Sequence, residues 1–166
     1  MFRVSIFGFR IYAIILCMTA TGHAIIGVVI ASKIANPYIA IPLAIASHLA
    51  ADAFPHWDTA TNKAKKSRAR VFSDSIIDVT ISLTLPLLLA PFLNPSTNLT
   101  YVYIIVFFAQ FWDWATAPYF FLKMHFPPFT WPYRLQKIFD NPLDKPWGII
   151  GQVGVLLVLI IYAKLI

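Results

Sequence analysis

Long apolar runs separated by short polar segments dominate this chain. A helix needs about 20 mostly apolar residues to cross the hydrocarbon core of a bilayer, so such runs predict membrane-spanning helices. Prolines mark the joints between the runs, often beside asparagine. The pattern predicts an all-α, polytopic membrane bundle with about five spans in a single domain over residues 1–166. The spans are expected near residues 12–32, 38–54, 71–93, 101–122 and 147–163.

Two parts of this prediction leave alternatives open. The first apolar run can form one spanning helix, or a membrane-surface helix up to Met18 followed by a short buried helix. The second run is short and is expected to tilt or to lie partly at the interface. Segment 124–146 is rich in proline, aromatic and basic residues. It is predicted to be interfacial, on the cytoplasmic membrane surface, either as an anchoring loop, which we favour, or as a lid that contacts lipid headgroups.

Composition supports the membrane assignment. The chain is 59% hydrophobic and 12% charged, whereas soluble domains are about half apolar and about a quarter charged. The net charge of +6 does not indicate nucleic-acid binding, because the basic residues fall in short loops between apolar runs. If the chain has five spans, nearly all of its basic residues lie on the same side of the membrane as its N-terminus. The positive-inside rule then predicts a multi-pass inner-membrane protein with a cytoplasmic N-terminus. The single cysteine, Cys17, cannot form an internal disulfide.

The ionisable residues within the predicted spans are the candidates for chemistry. All seven acidic residues are aspartates, and an aspartate at the centre of a spanning helix costs about 2.5–3.5 kcal/mol. No lysine or arginine lies in the middle of any span, so these groups need protons, mutual hydrogen bonds or bound cations. His48 and Asp52 are four residues apart and share a helix face, as do Asp74 and Asp78.

In the predicted topology these groups lie at similar depths in the inner leaflet, which predicts one metal site. The expected cofactor is one or two divalent metal ions, with zinc first and manganese, iron or magnesium as alternatives. The predicted metal ligands are His23, His48, Asp52, Asp74 and Asp78. Asp113 is predicted to be a ligand or general base, and His56 and Asp58 to be catalytic residues at the mouth of the site.

Structural roles compete with these assignments. His23 is as compatible with a buried histidine bonded to a carbonyl as with a metal ligand. Asp58 can cap a turn, and Asp74 can be favoured by the dipole of the helix it begins. Gln110 and Gln152 are predicted to form hydrogen bonds between helices.

Residues 21–58 resemble a family of small bacterial and archaeal inner-membrane proteins, the LexA-binding inner-membrane hydrolase type. The resemblance rests on His23 early in the first helix and on "PHWD" with Asp58 after the second. It implies a membrane-bound, metal-dependent hydrolase. This sequence has "KKSRARVFSDS" where many members carry further histidines. "HLAADAFPH" also resembles the His-x-x-x-Asp motif of zinc phospholipase C.

Two functions of different classes follow. The first is a membrane-embedded, metal-dependent hydrolase acting on a phosphoester in a membrane lipid or a lipid-linked substrate. The second is a translocator of metal ions or protons, because carboxylates in several spans are typical of ion pathways. Five spans are few for a transporter without dimerisation, so a homo-oligomer is also considered. A structural protein with protonated or paired acids is the third possibility.

Overall fold

The computed structural model describes residues 19–58, 61–62 and 65–166. Within these residues the chain is all-helical, with seven helices and no strand, which confirms the predicted fold class. The N-terminal part of the first predicted span lies outside the described residues. The helices are α1 Ala20–Lys33, α2 Pro37–Asp52, α3 Arg68–Leu93, α4 Leu99–Ala109, α5 Phe111–Phe121, α6 Thr130–Phe139 and α7 Trp147–Leu165.

Local chemistry fixes where these helices begin. The Thr19 hydroxyl accepts a hydrogen bond from the Gly22 N–H at the start of α1. Ser67 caps α3 in the same way, while Asn36 and Asn98 cap α2 and α4. These side chains bind backbone donors that have no partner within their own helix. The sequence therefore encodes the helix starts through single polar residues within largely apolar surroundings.

The prediction of about five spans is wrong. Among the described residues, only Ala69–Leu93 and Trp147–Leu165 are helices long and apolar enough to cross a membrane. α1 and α4 are apolar but shorter, and the run near residues 101–122 is divided at Gln110 into two helices of 11 residues each. The length of an apolar run does not reveal such a break in the backbone.

The two long helices are mostly exposed. Only 28% and 22% of their most apolar windows are buried, which differs from the core helices of a soluble protein. Large apolar side chains project from both helices, including Ile77 and Leu88 on α3 and Val158 and Leu165 on α7. Water is a poor solvent for such continuous apolar surfaces, which are typical of contact with another apolar phase.

The two ends of the bundle differ, and we call them the apolar end and the polar end. The apolar end lies beside the main hydrophobic core. There the Asn94 side chain donates to the Ser32 carbonyl over 3.3 Å, and the Tyr101 hydroxyl donates to the Ile34 carbonyl over 2.6 Å. The neighbouring core is made of small and branched apolar residues of α1, α2 and α4, among them Ala24, Val28, Ala40, Ala44, Val102, Ile105 and Val106. The starts of α1, α3 and α7 and the end of α2 lie at the polar end.

Segment 124–146 packs onto the polar end instead of forming only a surface loop. It contains α6, which contacts α2 and α5. After α6, the Asn141 N–H donates to the Asp52 carbonyl over 3.1 Å, and the Leu143 N–H donates to the His56 carbonyl over 2.6 Å. These backbone hydrogen bonds fix the segment against the end of α2.

α1 and α4 approach each other closely at Gly27. A Cβ atom on Gly27 would lie 3.0 Å from the Ala109 Cβ and 3.0 Å from the Val106 Cα. A side chain at this position would therefore require α4 to shift away from α1 by a few tenths of an ångström, and backbone moves less easily than a flexible side chain. In contrast, a Cβ atom on Gly154 of α7 would have no atom of the described residues within 4 Å.

Replacing Gly27 with valine is therefore expected to destabilise the bundle, by about 1–3 kcal/mol, as in other overpacked cores. The matched substitution Gly154→Val introduces the same side chain into open space. Thermal unfolding in detergent should show a lower midpoint for Gly27→Val than for Gly154→Val. Equal midpoints would contradict the close packing of α1 on α4.

Candidate metal centre

Four ionisable side chains from three helices converge at the polar end of the bundle. α1 contributes His23, α2 contributes His48 and Asp52, and α5 contributes Asp113. The side chains of His23, His48 and Asp52 are 1%, 0% and 0% exposed, whereas that of Asp113 is 28% exposed. Asp113 is therefore the member of the cluster that is partly exposed.

The spacing of the donor atoms suits a shared metal ion. His23 Nε2 lies 3.3 Å from Asp52 Oδ1, and His48 Nε2 lies 3.4 Å from Asp52 Oδ2 and 3.5 Å from Asp113 Oδ1. Hydrogen bonds between nitrogen and oxygen are commonly shorter, at about 2.7–3.2 Å. Nitrogen and oxygen ligands of a tetrahedral zinc ion lie about 3.3–3.4 Å apart, given zinc–ligand bonds of about 2.0–2.1 Å.

A second observation points the same way. Ligand atoms of His23, His48 and Asp113 all lie within 4.8 Å of one another, so this group can hold a metal ion. Among the described residues, neither ring nitrogen of the buried His23 makes a hydrogen bond of normal geometry, and Nε2 lies 3.3 Å from Asp52 Oδ1. A buried imidazole with poor hydrogen bonding is costly, and a bound cation would satisfy one of its nitrogens.

Hydrogen bonding fixes the tautomer of His48. Its Nδ1 lies 2.7 Å from the Ala109 carbonyl oxygen, which can only accept, so Nδ1 carries the proton. The lone pair on Nε2 then faces Asp52 and Asp113. This is the arrangement in which most metal-binding histidines are held, with the other nitrogen donating to a carbonyl or carboxylate. The ring also stacks on His23, with centroids 3.6 Å apart and planes 8° apart.

Gln136 of α6 completes the cluster and was missed from the sequence. Its Nε2 lies 3.1 Å from His48 Nε2 and 3.3 Å from Asp113 Oδ1, and the side chain is 2% exposed. The amide donates to Asp113 and so orients it, whereas its contact with His48 Nε2 would give way to a bound ion, because that nitrogen has a single lone pair. A glutamine in a predicted interfacial segment carries no sequence signal for burial, because only the packing of α6 brings it there.

The structure does not include Asp74 or Asp78 among the residues whose ligand atoms all lie within 4.8 Å of one another, and it gives both carboxylates other partners. Asp74 lies 2.9 Å from Arg70 Nε and 3.4 Å from Lys66 Nζ. The expectation that the acids within spans have no basic partner is therefore wrong for Asp74. Arg70 lies one turn earlier in α3, and Lys66 lies just before α3 begins, in the polar segment that precedes the apolar run.

Asp78 instead binds the N-terminus of α1. Its carboxylate accepts hydrogen bonds from the N–H groups of Ala20 and Thr21, over 2.7 and 3.1 Å, and from the Thr21 hydroxyl over 2.6 Å. These donors have no partner within α1, and a negative charge is favourable at a helix N-terminus. Asp78 thus holds the helix that carries His23.

Gln110 and Gln152 form hydrogen bonds between helices, as predicted. Gln110 donates to the Ala20 carbonyl over 2.9 Å, and Gln152 donates to the Thr19 hydroxyl over 2.7 Å. The start of α1 is therefore bound from α3, from the junction of α4 and α5, and from α7. His23 lies within one turn of all three contacts.

His56 and Asp58 make contacts of their own. His56 Nδ1 lies 2.6 Å from the Phe54 carbonyl, and its Nε2 lies 3.8 Å from Asp140. The Asp58 carboxylate accepts hydrogen bonds from the Thr61 N–H and from the Thr61 hydroxyl over 2.6 Å. Asp58 thus caps a turn, which is the structural alternative considered from the sequence.

Loss of a ligand should remove bound metal. We expect His48→Ala to lower zinc affinity by about 100-fold or more, since even partners outside the ligand set change affinity 10- to 100-fold. The matched control is His125→Ala, which removes an exposed histidine from the loop before α6. Elemental analysis after dialysis against zinc should find metal in the wild type and in His125→Ala. Equal zinc in His48→Ala would contradict the site.

Asp78 provides a test that separates a ligand from a helix anchor. Asp78→Asn removes the charge that binds the start of α1 and should lower the free energy of unfolding by about 1–3 kcal/mol. The zinc content of the folded protein should stay at the wild-type value. Unfolding in detergent and elemental analysis of the same sample check both. Loss of zinc with unchanged stability would instead make Asp78 a ligand.

Comparison with known proteins leaves the chain without a family. No protein-family model matches it, and no curated protein or solved structure matches it. The residues that bear on function are therefore those of the cluster, with the polar contacts that α3, α6 and α7 make around it.

Proposed function

We propose that this protein is a membrane-embedded, metal-dependent hydrolase that cleaves a phosphoester in a lipid or lipid-linked substrate. One observation carries the proposal: ligand atoms of His23, His48 and Asp113 all lie within 4.8 Å of one another, and the His48 lone pair is turned towards Asp113 and Asp52. Mixed imidazole and carboxylate ligands suit zinc, with manganese or iron as alternatives.

The residues of the cluster have different roles in the proposed reaction. A divalent cation bound there supplies Lewis acidity, which acidifies water and polarises a phosphoryl oxygen. His23, His48 and Asp52 are fully buried and hold position. Asp113 is the exposed member of the cluster, so it is the group that a substrate and a water molecule can reach. Its carboxylate acts as ligand or general base, and Gln136 orients it through the 3.3 Å hydrogen bond.

The exposed apolar helices support a lipid substrate. α3 and α7 are long enough to span a bilayer, and the site lies at the end of the bundle where both begin. This end carries Lys65, Lys66, Arg70 and Lys145, whereas Lys33 and Lys164 lie at the other end. By the positive-inside rule, this charge difference supports a site at the cytoplasmic leaflet of the inner membrane.

The resemblance to the LexA-binding inner-membrane hydrolase type supports the same class of function in part. His23, one of the residues on which it rests, lies in the cluster. Asp58, the other, binds Thr61. Membership of that family therefore remains a proposal, carried by His23 and by the metal-binding chemistry.

The second candidate, a translocator, is less well supported. An ion path needs polar groups through the far half of the bundle. The core between the cluster and the far end is instead lined by Ala24, Val28, Val102, Ile105 and Val106. A hydrolase needs only a site reached from one side, which is what the exposure of Asp113 provides.

Phosphate release is the test of the proposal. Purified protein in detergent is incubated with a panel of phospholipids and polyprenyl phosphates, with added zinc or manganese or with chelator. We expect metal-dependent release of phosphate or of a phosphorylated headgroup. Asp113→Asn should lower kcat by about 100-fold or more, the usual contribution of a general base.

The matched control is Asp144→Asn, in the loop before α7. The backbone N–H of Lys145 and the side chain of Asn62 hold the pKa of Asp144 below its usual range. This aspartate is therefore ionised at the assay pH, and the control removes a real carboxylate charge. Turnover should be unchanged. Metal-dependent ion flux into liposomes, with no hydrolysis of any member of the panel, would overturn the proposal in favour of the translocator.

A further inference from the structure

A groove runs along the start of α3 at the polar end of the bundle. Its volume is ≈ 250 Å³, and the residues that line it include Trp57, Arg70, Asp74, Ile77, Ile81 and Lys145. None of these residues belongs to the metal cluster. We propose that this groove is a binding site for an anionic lipid, with the headgroup phosphate at Arg70 and Lys145 and the acyl chain along Ile77 and Ile81.

The spacing along α3 makes the groove amphiphilic. Arg70, Asp74, Ile77 and Ile81 follow one another at intervals of three or four residues, so they share one face of the helix. Arg70 is in the first turn of α3 and Ile81 is about 16 Å further along the axis, at 1.5 Å per residue. Ile77 and Ile81 are 58% and 45% exposed. The groove thus has cations near the start of α3, which we call its mouth, and apolar side chains further along the helix.

Charge at the mouth favours an anion. Arg70 and Lys66 share the single carboxylate of Asp74, and Lys145 adds a third cation. The other acid lining the groove, Asp78, is bound to the N-terminus of α1. The groove is therefore lined by two cations, Arg70 and Lys145, and by two acids, of which only Asp74 faces these cations without a helix N-terminus bound to it. A phosphate diester could bind Arg70 and Lys145 together, as arginine clusters commonly bind phosphate.

Trp57 supports a membrane-interface location for the mouth. The Lys145 ammonium lies 4.1 Å from the centroid of the Trp57 ring, and Lys66 lies 5.2 Å from it on the same ring. Tryptophan and lysine side chains both favour the headgroup zone of a bilayer. The stacked cations are held at the mouth of the groove, which is where a headgroup would lie if α3 spans the membrane.

The two isoleucines decide between a lipid and free phosphate. Inorganic phosphate would use only the cations and would gain nothing from the apolar half of the groove. The site rests on the membrane placement given above, but it needs no catalysis at the metal centre. It would bind lipid whether that lipid is a substrate or a permanent structural partner.

Lipid binding to the full chain tests the proposal. The protein in a neutral detergent is titrated with short-chain phosphatidylglycerol or phosphatidylcholine, and bound lipids are counted by native mass spectrometry. Arg70→Ala/Lys145→Ala should weaken phosphatidylglycerol binding by about tenfold or more, with little effect on phosphatidylcholine. The matched control, Lys33→Ala/Lys164→Ala, removes two lysines at the far end and should leave binding unchanged.

A gain of binding guards against variants that merely misfold. Asp74→Asn removes the carboxylate that competes for Arg70 and Lys66, so it should tighten phosphatidylglycerol binding by about two- to fivefold. Zinc content is measured in the same samples, so failure of the metal site is distinguished from failure of the groove. Unchanged binding in both the double variant and Asp74→Asn would overturn the proposal. Displacement of the lipid by millimolar inorganic phosphate would also overturn it, in favour of a free-phosphate site.

Discussion

Burial of imidazole and carboxylate groups among apolar helices is the constraint on which this structure depends. His23, His48 and Asp52 are withdrawn almost completely from solvent, and buried polar groups are costly unless each finds a partner. The Ala109 carbonyl accepts a hydrogen bond from Nδ1 of His48, and Gln136 of α6 donates one to Asp113. A divalent cation suits the ligand atoms of His23, His48 and Asp113, which all lie within 4.8 Å of one another.

Contacts at the start of α1 fix the position of His23 in the cluster. Asp78, Gln110 and Gln152 bind the first turn of α1 from three directions, and Gly27 lets the helix approach α4 closely. His23 is thereby held against the ring of His48. Polar residues that bind no metal are thus as important to the site as the ligands, because they set the position of the helix that carries one of them.

Sequence reasoning reached part of this arrangement. The all-helical fold followed from the apolar runs, and the contact of His48 with Asp52 followed from their four-residue spacing, since both lie on one helix face. Asp74 and Asp78 have the same spacing, yet one pairs with Arg70 and the other binds α1. Spacing reports a shared face but not what packs against it.

The remaining features depend on tertiary packing or on single backbone breaks. Gln136 joins the cluster only because α6 packs against α2 and α5. The residues next to Gln136 in the sequence do not predict that packing. The number of spans was overestimated because a run of apolar residues looks continuous where the backbone breaks at Gln110. Helix ends in such a chain are set by single polar residues, which are difficult to distinguish from polar residues within a helix.

X-ray absorption at the zinc edge tests the central claim most directly, namely that this cluster binds a metal ion through His23, His48 and carboxylate oxygens. The account predicts a first shell of about four nitrogen and oxygen atoms at about 2.0–2.1 Å, with the multiple-scattering signature of two imidazoles and no sulfur. Loss of one imidazole is expected in His23→Ala. A shell of water oxygens without imidazole, or a spectrum unchanged in His23→Ala, would contradict it.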